Sequence, residues 1–302
     1  MLGSVQESED AVQDTFLRAW RGLAAFEGRS SVRSWLYRIA TNVCLDALNG
    51  RSKRALPADL AAPADPRDQL AAPLVDSVWV ECFPDERFGV ADGHAAPGAR
   101  YEQREAVELA FVAALQHLPP GQRAVLILRD VLGFSAREVA QALETTVPAV
   151  KSYVQRVRKA MNERRPEMTQ QATLRSIGDD GAREVVRRYV DAWERDDVDA
   201  VVAMLTENAT LAMPPTPTWY RGRPAISTFY RGLFGTHRWR HVETRANGQL
   251  AVGCYAWDEG RACFAPLVLD VLTLRGTRIE SITAFLTPEV FGRFGLPERL
   301  TA

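Results

Sequence analysis

Two stretches of this chain combine residue types that suit them to a polyanion. From Gly28 to Arg54 there are six basic residues against one acidic, and Trp35 and Tyr37 lie among them, with Phe26 just before. Arginine neutralises phosphate, and aromatic rings stack on or trap unpaired bases, which is what a melted strand requires. The competing reading of Trp35 is a core residue at an apolar helical position. From Val147 to Arg165 there are again six basic residues against one acidic. Here Val150, Val154, Val157 and Met161 form an apolar stripe. Lys151, Ser152, Gln155, Arg156, Arg158 and Lys159 face the other way, a set fit for phosphate positioning and groove-edge hydrogen bonds. A third group, Asp196, His237, His241, Asp258 and Asp270, qualifies for acid or base work by type alone, and no paired constellation emerges from its spacing. The four cysteines (Cys44, Cys82, Cys254, Cys263) are scattered, with no C-x-x-C and no histidine at ligand spacing. Neither a disulfide framework, a metal site nor a cofactor is expected.

Local patterning supplies the elements that would carry these residues. Val12, Phe16, Ala19 or Trp20, and Leu23 recur at helical spacing and leave Asp10, Gln13, Asp14, Arg18 and Arg21 on the other side, an amphipathic helix with an acidic start. That start favours the helix macrodipole or marks a partner-binding face. A second helix is predicted over 32–48, with Trp35, Leu36, Ile39, Ala40 and Val43 on its apolar side and Arg33, Tyr37, Arg38 and Asn42 outward or along the edge. Further on, Pro119-Pro120 opens a helix, and Ser135-Ala136-Arg137-Glu138 is a capping box for a short one. Glu144-Thr145-Thr146 then turns the chain into the basic helix, with Pro148 in its first turn. Short helix, tight turn and basic helix is the geometry of a helix-turn-helix, against the alternative of a three-helix bundle with a solvated basic face.

The 302 residues are 46% hydrophobic and 25% charged with a net charge of −1, which excludes collagen-like, wholly disordered and membrane-spanning classes. There is no long apolar run, and the acidic N-terminus is unlike a signal peptide, so a cytoplasmic protein with no membrane partner is expected. Residues 55–103 are proline-, alanine- and acid-rich without periodicity and read as a linker. The expected units are 1–54, 104–165 and 180–300, with a second short linker over 166–179. The last unit begins with helical periodicity (Val186, Tyr189, Val190, Trp193) and ends in strand-like runs near 239–245, 250–256, 263–274 and 278–286. Helices followed by antiparallel strands predict an α+β cone.

The run from Ser4 to Leu48, SVQESEDAVQDTFLRAWRGLAAFEGRSSVRSWLYRIATNVCLDAL, resembles region 2 of extracytoplasmic-function sigma factors of the sigma-70 family. LQHLPPGQRAVLILRDVLGFSAREVAQALETTVPAVKSYVQRVRKAM resembles their region 4. PPTPTWYRGRPAI and TRANGQLAVGCYAW resemble the SnoaL-like branch of NTF2-like domains found at the C-terminus of the sigma-G type, and WVECFPD (79–85) partly matches a motif of that group's linker. The resemblance implies a multidomain chain: an all-α region 2, a helix-turn-helix region 4, and an α+β NTF2-like cone. Its implied partners are core RNA polymerase and promoter DNA, and its implied role is transcription initiation rather than catalysis.

Carried over residue by residue, the resemblance gives Asp10, Gln13, Asp14, Phe16 and Trp20 to polymerase binding. It gives Phe26, Arg33, Trp35, Tyr37, Arg38 and Asn42 to the minus-10 element, and Lys151, Ser152, Gln155, Arg156 and Lys159 to the minus-35 element. A cone of this kind encloses a pocket for a small-molecule ligand, with Trp193, Met213, Trp219, Tyr220 and Phe229 as candidates for its lining, together with Trp239, Tyr255, Trp257 and Phe285. In-cis regulation by that domain is the expected use. The alternatives are a SnoaL-like cyclase or isomerase fused to a DNA-binding module, and a one-component regulator using only the helix-turn-helix. Three departures from the pattern stand out: region 2 begins without its usual first helix, which makes Met1 read as an internal start; Glu144 occupies a turn position where glycine is common; and Lys151 stands where asparagine is frequent.

Overall fold

The computed structural model describes residues 1–51, 53–75, 78–88, 108–162 and 168–301. The expected boundaries near 103–104 and 165–166 lie outside these, as does the Met161 side chain. The chain forms two compact units, one from Met1–Arg54 with Leu109–Pro166 and the other from Ala55–Glu108 with Glu167–Ala302.

The first unit is helical. Helix α1 (Val5–Gly22) is capped by the Ser4 side chain, which accepts from the Glu7 amide at 3.3 Å. Its buried residues are Val5, Ala11, Thr15 and Ala19. These small residues at helical spacing let α1 lie close against α2 (Val32–Leu48). The larger stripe, one position further round, is therefore turned outward: Val12, Phe16, Trp20 and Leu23 are exposed. The periodicity located the helix, but the face it marked is not the buried one.

Helices α3 (Leu109–Gln116), α4 (Pro120–Leu126), α5 (Ala136–Ala142) and α6 (Val147–Asn162) complete this unit, with a π turn over Ile127–Val131 extending α4. The capping box forms as read: Glu138 N–H donates to Ser135 Oγ at 3.2 Å, and Ser135 N–H donates to Glu138 Oε2 at 2.7 Å. Val125, Leu128, Phe134, Val139 and Val150 make the core between α4, α5 and α6. Glu144, in the turn, adopts φ +50°, the left-handed conformation that explains why glycine suits this position. Arg123 is buried and donates to the side-chain oxygen of Gln116 at 2.8 Å and to the carbonyls of Gln116 and Leu118. Burial lowers its pKa to about 10.

In the second unit, α7 (Gln170–Glu194) bends at Gly178, whose φ of +68° no helix tolerates. It is followed by α8 (Val198–Met204), β1 (Leu205–Ala212), β2 (Trp219–Arg221) and α9 (Arg223–Leu233). Then come β3 (Trp239–Ala246), β4 (Gln249–Asp258), β5 (Cys263–Arg275) and β6 (Arg278–Phe285). The sheet order is β2-β1-β6-β5-β4-β3, antiparallel except for the parallel β1–β6 pair. One sheet face packs on α7 and α9 through Val186, Tyr189, Ile226, Val252 and Leu272. The other receives a 3-10 segment, Pro288–Phe294, where a side chain at Gly253 would strike Leu296 at 2.8 Å.

Two stretches expected as linkers are bonded into this unit. Ala64 N–H donates to the Trp219 carbonyl at 2.9 Å, Leu74 N–H to Pro215 at 2.8 Å, and Trp219 Nε1 to Ala61 at 2.8 Å. Phe83 N–H donates to Asn247 Oδ1, and Asn247 N–H returns a bond to the Phe83 carbonyl, both at 2.8 Å. This proline-rich strap has no period to betray it; these bonds tie it to the second unit although most of residues 58–75 stay exposed. Residues 170–177 of the second expected linker are helical. The Gln170 side chain donates to the Leu274 carbonyl at 2.7 Å and accepts from the Leu274 amide at 2.6 Å, serving as an extra rung beside β5.

Candidate nucleic-acid interface and cavity

In α6, Val150 and Val157 are fully buried, which fixes the rotation of the helix. Lys151, Ser152, Gln155, Arg156 and Lys159 consequently lie exposed. Arg156 rests its guanidinium 5.0 Å from the Tyr153 ring centre. Arg158 is drawn aside by Asp130, to which Nε and Nη2 donate at 3.1 and 2.8 Å. The remaining face offers cations and a neutral amide with no acid among them, the composition expected for phosphate and base-edge contacts.

On α2, the structure divides the six candidates. Phe26 and Trp35 meet at 4.8 Å with their planes 36° apart, and both are half-buried, so Trp35 lies at the edge of the packing and not in its centre. Arg38 and Asn42 are exposed. Arg33 and Tyr37 instead engage the helix-turn-helix: Arg33 Nη2 donates to the Leu132 carbonyl, and Tyr37 meets Phe134 edge-on at 5.4 Å. Ser34, which the sequence did not single out, donates to Glu138 Oε1 at 3.4 Å.

On α1, Asp10 and Gln13 are exposed, and Asp14 pairs with Arg18 at 2.9 Å. Phe16 is 61% and Trp20 78% exposed. Acidic and amide groups thus flank a ridge of large apolar side chains, the anatomy of a docking face with an apolar centre and a polar rim.

In the sheet unit, a cavity of about 250 Å³ opens between the sheet and α7 and α9. Of the aromatic and Met candidates, Trp193, Met213, Phe229 and Trp239 line it. Trp219, Tyr220, Tyr255, Trp257 and Phe285 do not. Trp219 packs on the strap, Tyr220 stacks on Phe229 from the core side, and Tyr255 and Trp257 point to the opposite sheet face, against Phe291 and Phe264. Strand alternation separates Trp239 and His241 from these residues, and a roll of aromatics cannot reveal it. Leu211, Tyr230 and Ala284, missed in the sequence, also line the cavity.

Of the five acid–base candidates, only His241 and Asp270 reach this cavity. Asp196 and His237 are exposed, and Asp258 pairs with Arg261 at 3.6 Å. The Asp270 carboxylate accepts from Tyr189 Oη at 2.9 Å and Cys254 Sγ at 3.4 Å. Burial raises its pKa above the usual carboxylate range, although both hydrogen bonds pull it back. Burial and the neighbouring Asp270 push Tyr189 and Cys254 up in turn. The His241 side chain is fully buried with its Nδ1 3.6 Å from Glu194 Oε1, which also accepts from the His241 amide at 3.0 Å, and these contacts lower the Glu194 pKa.

Comparison with known proteins shows the family of the chain. Residues 1–54 match sigma-70 region 2, residues 108–161 match sigma-70 region 4, and residues 186–282 match the SnoaL-like domain. The chain is 41% identical to the ECF RNA polymerase sigma factor SigG of Mycobacterium tuberculosis over 99% of its own length and 80% of the relative's. It is 26% identical to SigJ of the same species, over 99% of this chain and 90% of that protein. The crystal structure of SigJ shares the fold, with a TM-score of 0.58 at 23% identity over 98% of this chain and 93% of that one. The chain belongs to the extracytoplasmic-function sigma-70 factors that carry a SnoaL-like domain, and it is a transcription initiation factor rather than an enzyme.

Proposed function

We propose that this sigma factor docks on core RNA polymerase through the Phe16 and Trp20 ridge of α1, with Asp10, Gln13 and Asp14 at its rim. Phe26, Trp35, Arg38 and Asn42 engage the melted minus-10 strand, joined by Arg33 and Tyr37 once these leave the helix-turn-helix. Lys151, Ser152, Gln155, Arg156 and Lys159 of α6 read the minus-35 element. The SnoaL-like domain modulates initiation in cis and takes a small molecule in its cavity. One observation carries the reading: a tryptophan 78% exposed in the last turn of a helix whose other face is packed on α2 makes sense when a partner covers it.

The test is run-off transcription from a promoter library with purified bacterial core polymerase and the full chain. Promoter-specific transcripts that vanish with Trp20→Ala support the assignment. Transcripts unaffected by Trp20→Ala remove α1 from the interface. To test cis modulation, a bulky substitution inside the cavity, Ala284→Phe, is compared in the same assay. Unchanged transcript levels from a folded Ala284→Phe chain count against it.

A further inference from the structure

We propose that the Asn247–Gly248 turn of the SnoaL-like domain is a clasp that limits how far region 2 and region 4 can part, and so sets the spacer length between minus-10 and minus-35 elements that this factor accepts. The proposal rests on the reading of α2 and α6 as the modules for those two elements, and it names the residues that hold them in step.

The turn is a firm point to which a chain can be tied. It joins β3 to β4 through two residues at φ +56° and +71°, the left-handed pair that Asn-Gly supplies in a two-residue hairpin. Asn247 is buried, and the two strands stay paired from Trp239 opposite Ala256 to Ala246 opposite Gln249. The chain that leaves region 2 runs to this turn. Ala55, next after Arg54, is buried; its N–H donates to the Val78 carbonyl at 2.8 Å, and its carbonyl accepts from the Val80 amide at 3.1 Å. A few residues further on, Phe83 exchanges two hydrogen bonds with Asn247, and Asp85 Oδ1 accepts from the Gly248 amide at 2.7 Å.

The chain that enters region 4 is held at the same turn. Gln171, in the first turn of α7, donates from its side chain to the Gly248 carbonyl at 2.6 Å and from its backbone to Glu108 Oε1 at 2.9 Å. Glu108 directly precedes α3, the first helix of region 4, and both Glu108 and Gln171 are buried. Gly248 is thus bonded through its amide to the segment that follows region 2, and through its carbonyl to the residue that holds the start of region 4. All of these residues belong to one compact unit. On DNA, each base pair added to the spacer moves the minus-35 element by about 3.4 Å and turns it by about 35°. A flexible chain the length of 55–108 has a root-mean-square span of about 40 Å and absorbs such a step at little cost. A linker tied at one turn lacks that slack, because the reach between the modules then depends on the few residues outside the clasp.

The test is transcription by the full chain with core polymerase on promoters that differ only in spacer length, each with an intact and a scrambled minus-35 element. Glu108→Ala and Asn247→Gly each remove one tie, the second while keeping the left-handed turn, and Glu108→Gln keeps an acceptor oxygen. The unaltered chain should lose about 10-fold in output for each base pair away from its best length. Glu108→Ala and Asn247→Gly should stay within about 2-fold at the best length and lose only about 2- to 3-fold per base pair, since a tie transmits no more strain than its own hydrogen bonds withstand. Glu108→Gln should keep the narrow profile. Melting curves followed by tryptophan fluorescence identify the variants that are folded. The proposal is overturned if the unaltered chain needs the minus-35 element yet accepts every length, if both folded tie-breaking variants keep the narrow profile, or if they lose output equally at all lengths. Output that ignores scrambling of the minus-35 element withdraws the reading of α6, and the clasp's role in spacing with it.

Discussion

The guanidinium of Arg33, on the helix proposed to meet the minus-10 element, donates to the Leu132 carbonyl at 2.8 Å and lies 4.6 Å from the centre of the Phe134 ring. Tyr37, one turn along α2, meets the same ring. Two of the six minus-10 candidates are therefore occupied by the module proposed to read the minus-35 element. Promoter engagement by these two side chains requires the contact to part.

Phe134→Leu removes the ring while keeping apolar bulk between α2 and α5. A cation–π contact and an edge-on aromatic pair are each worth about 0.5–1.5 kcal/mol. The free factor should then bind single-stranded minus-10 DNA about 5-fold more tightly, measured by fluorescence anisotropy. An unchanged affinity in a folded variant would show that Arg33 and Tyr37 are not held back by this contact.

Trp20 contributes little to the fold, because its side chain is largely in water. Trp20→Ala should leave the stability of the helical unit within about 0.5 kcal/mol. As an exposed tryptophan at the centre of a docking ridge, it should cost about 2 kcal/mol or more in polymerase binding. Thermal melting and core-polymerase titration read the two quantities separately.

Lys151 and Gln155 should fail in different ways. Lys151→Ala should weaken holoenzyme binding uniformly across promoter sequences and reduce the salt slope by about 1. Gln155→Ala should relax preference at one position of the minus-35 element, at a cost of about 1–3 kcal/mol against the preferred base. Competition binding over a panel of minus-35 sequences at two salt concentrations distinguishes them.

Burial raises the Asp270 pKa in the folded state above its unfolded value, with Tyr189, Cys254 and His241 facing it and offsetting part of the effect. Its contribution to stability is then fully present below the unfolded value and is lost as pH rises through the folded one. Denaturant midpoints of the SnoaL-like domain, followed by its tryptophans, should fall as pH rises through that folded value. Asp270→Asn should flatten the decline, and an equally steep decline in that variant would assign it to other groups.

Glu144 sits at φ +50° in the helix-turn-helix turn. A non-glycine residue there is strained by about 1 kcal/mol. Glu144→Gly should raise the stability of the helical unit by about 0.5–1 kcal/mol, read as an upward shift of its melting temperature.

Most of the helical unit was legible in the sequence because its signals are local. The capping box at Ser135 and Glu138, the left-handed turn position at Glu144 and the rotation of α6 all follow from neighbours within a few residues. The α1 helix was legible but its inward face was not. Ala11, Thr15 and Ala19 are buried because α2 can approach them closely, and a hydrophobicity period favours the larger residues beside them. The stretches 55–75 and 78–88 had no period at all, and their hydrogen bonds to Trp219, Pro215 and Asn247 show that they are part of the second unit.

The cavity marks the clearest division. Sequence alone established an α+β domain rich in aromatics, with titratable groups of the right type, because composition and strand periodicity are properties of short windows. Which aromatics share a space depends on strand register and on which face of the sheet each residue takes. That decision put Trp239, His241 and Asp270 on one side and Tyr255 and Trp257 on the other. It also brought together the rings of Trp193, Trp239 and His241 from α7 and β3, residues up to 48 positions apart in the chain, which only the packing of a helix on a sheet could juxtapose.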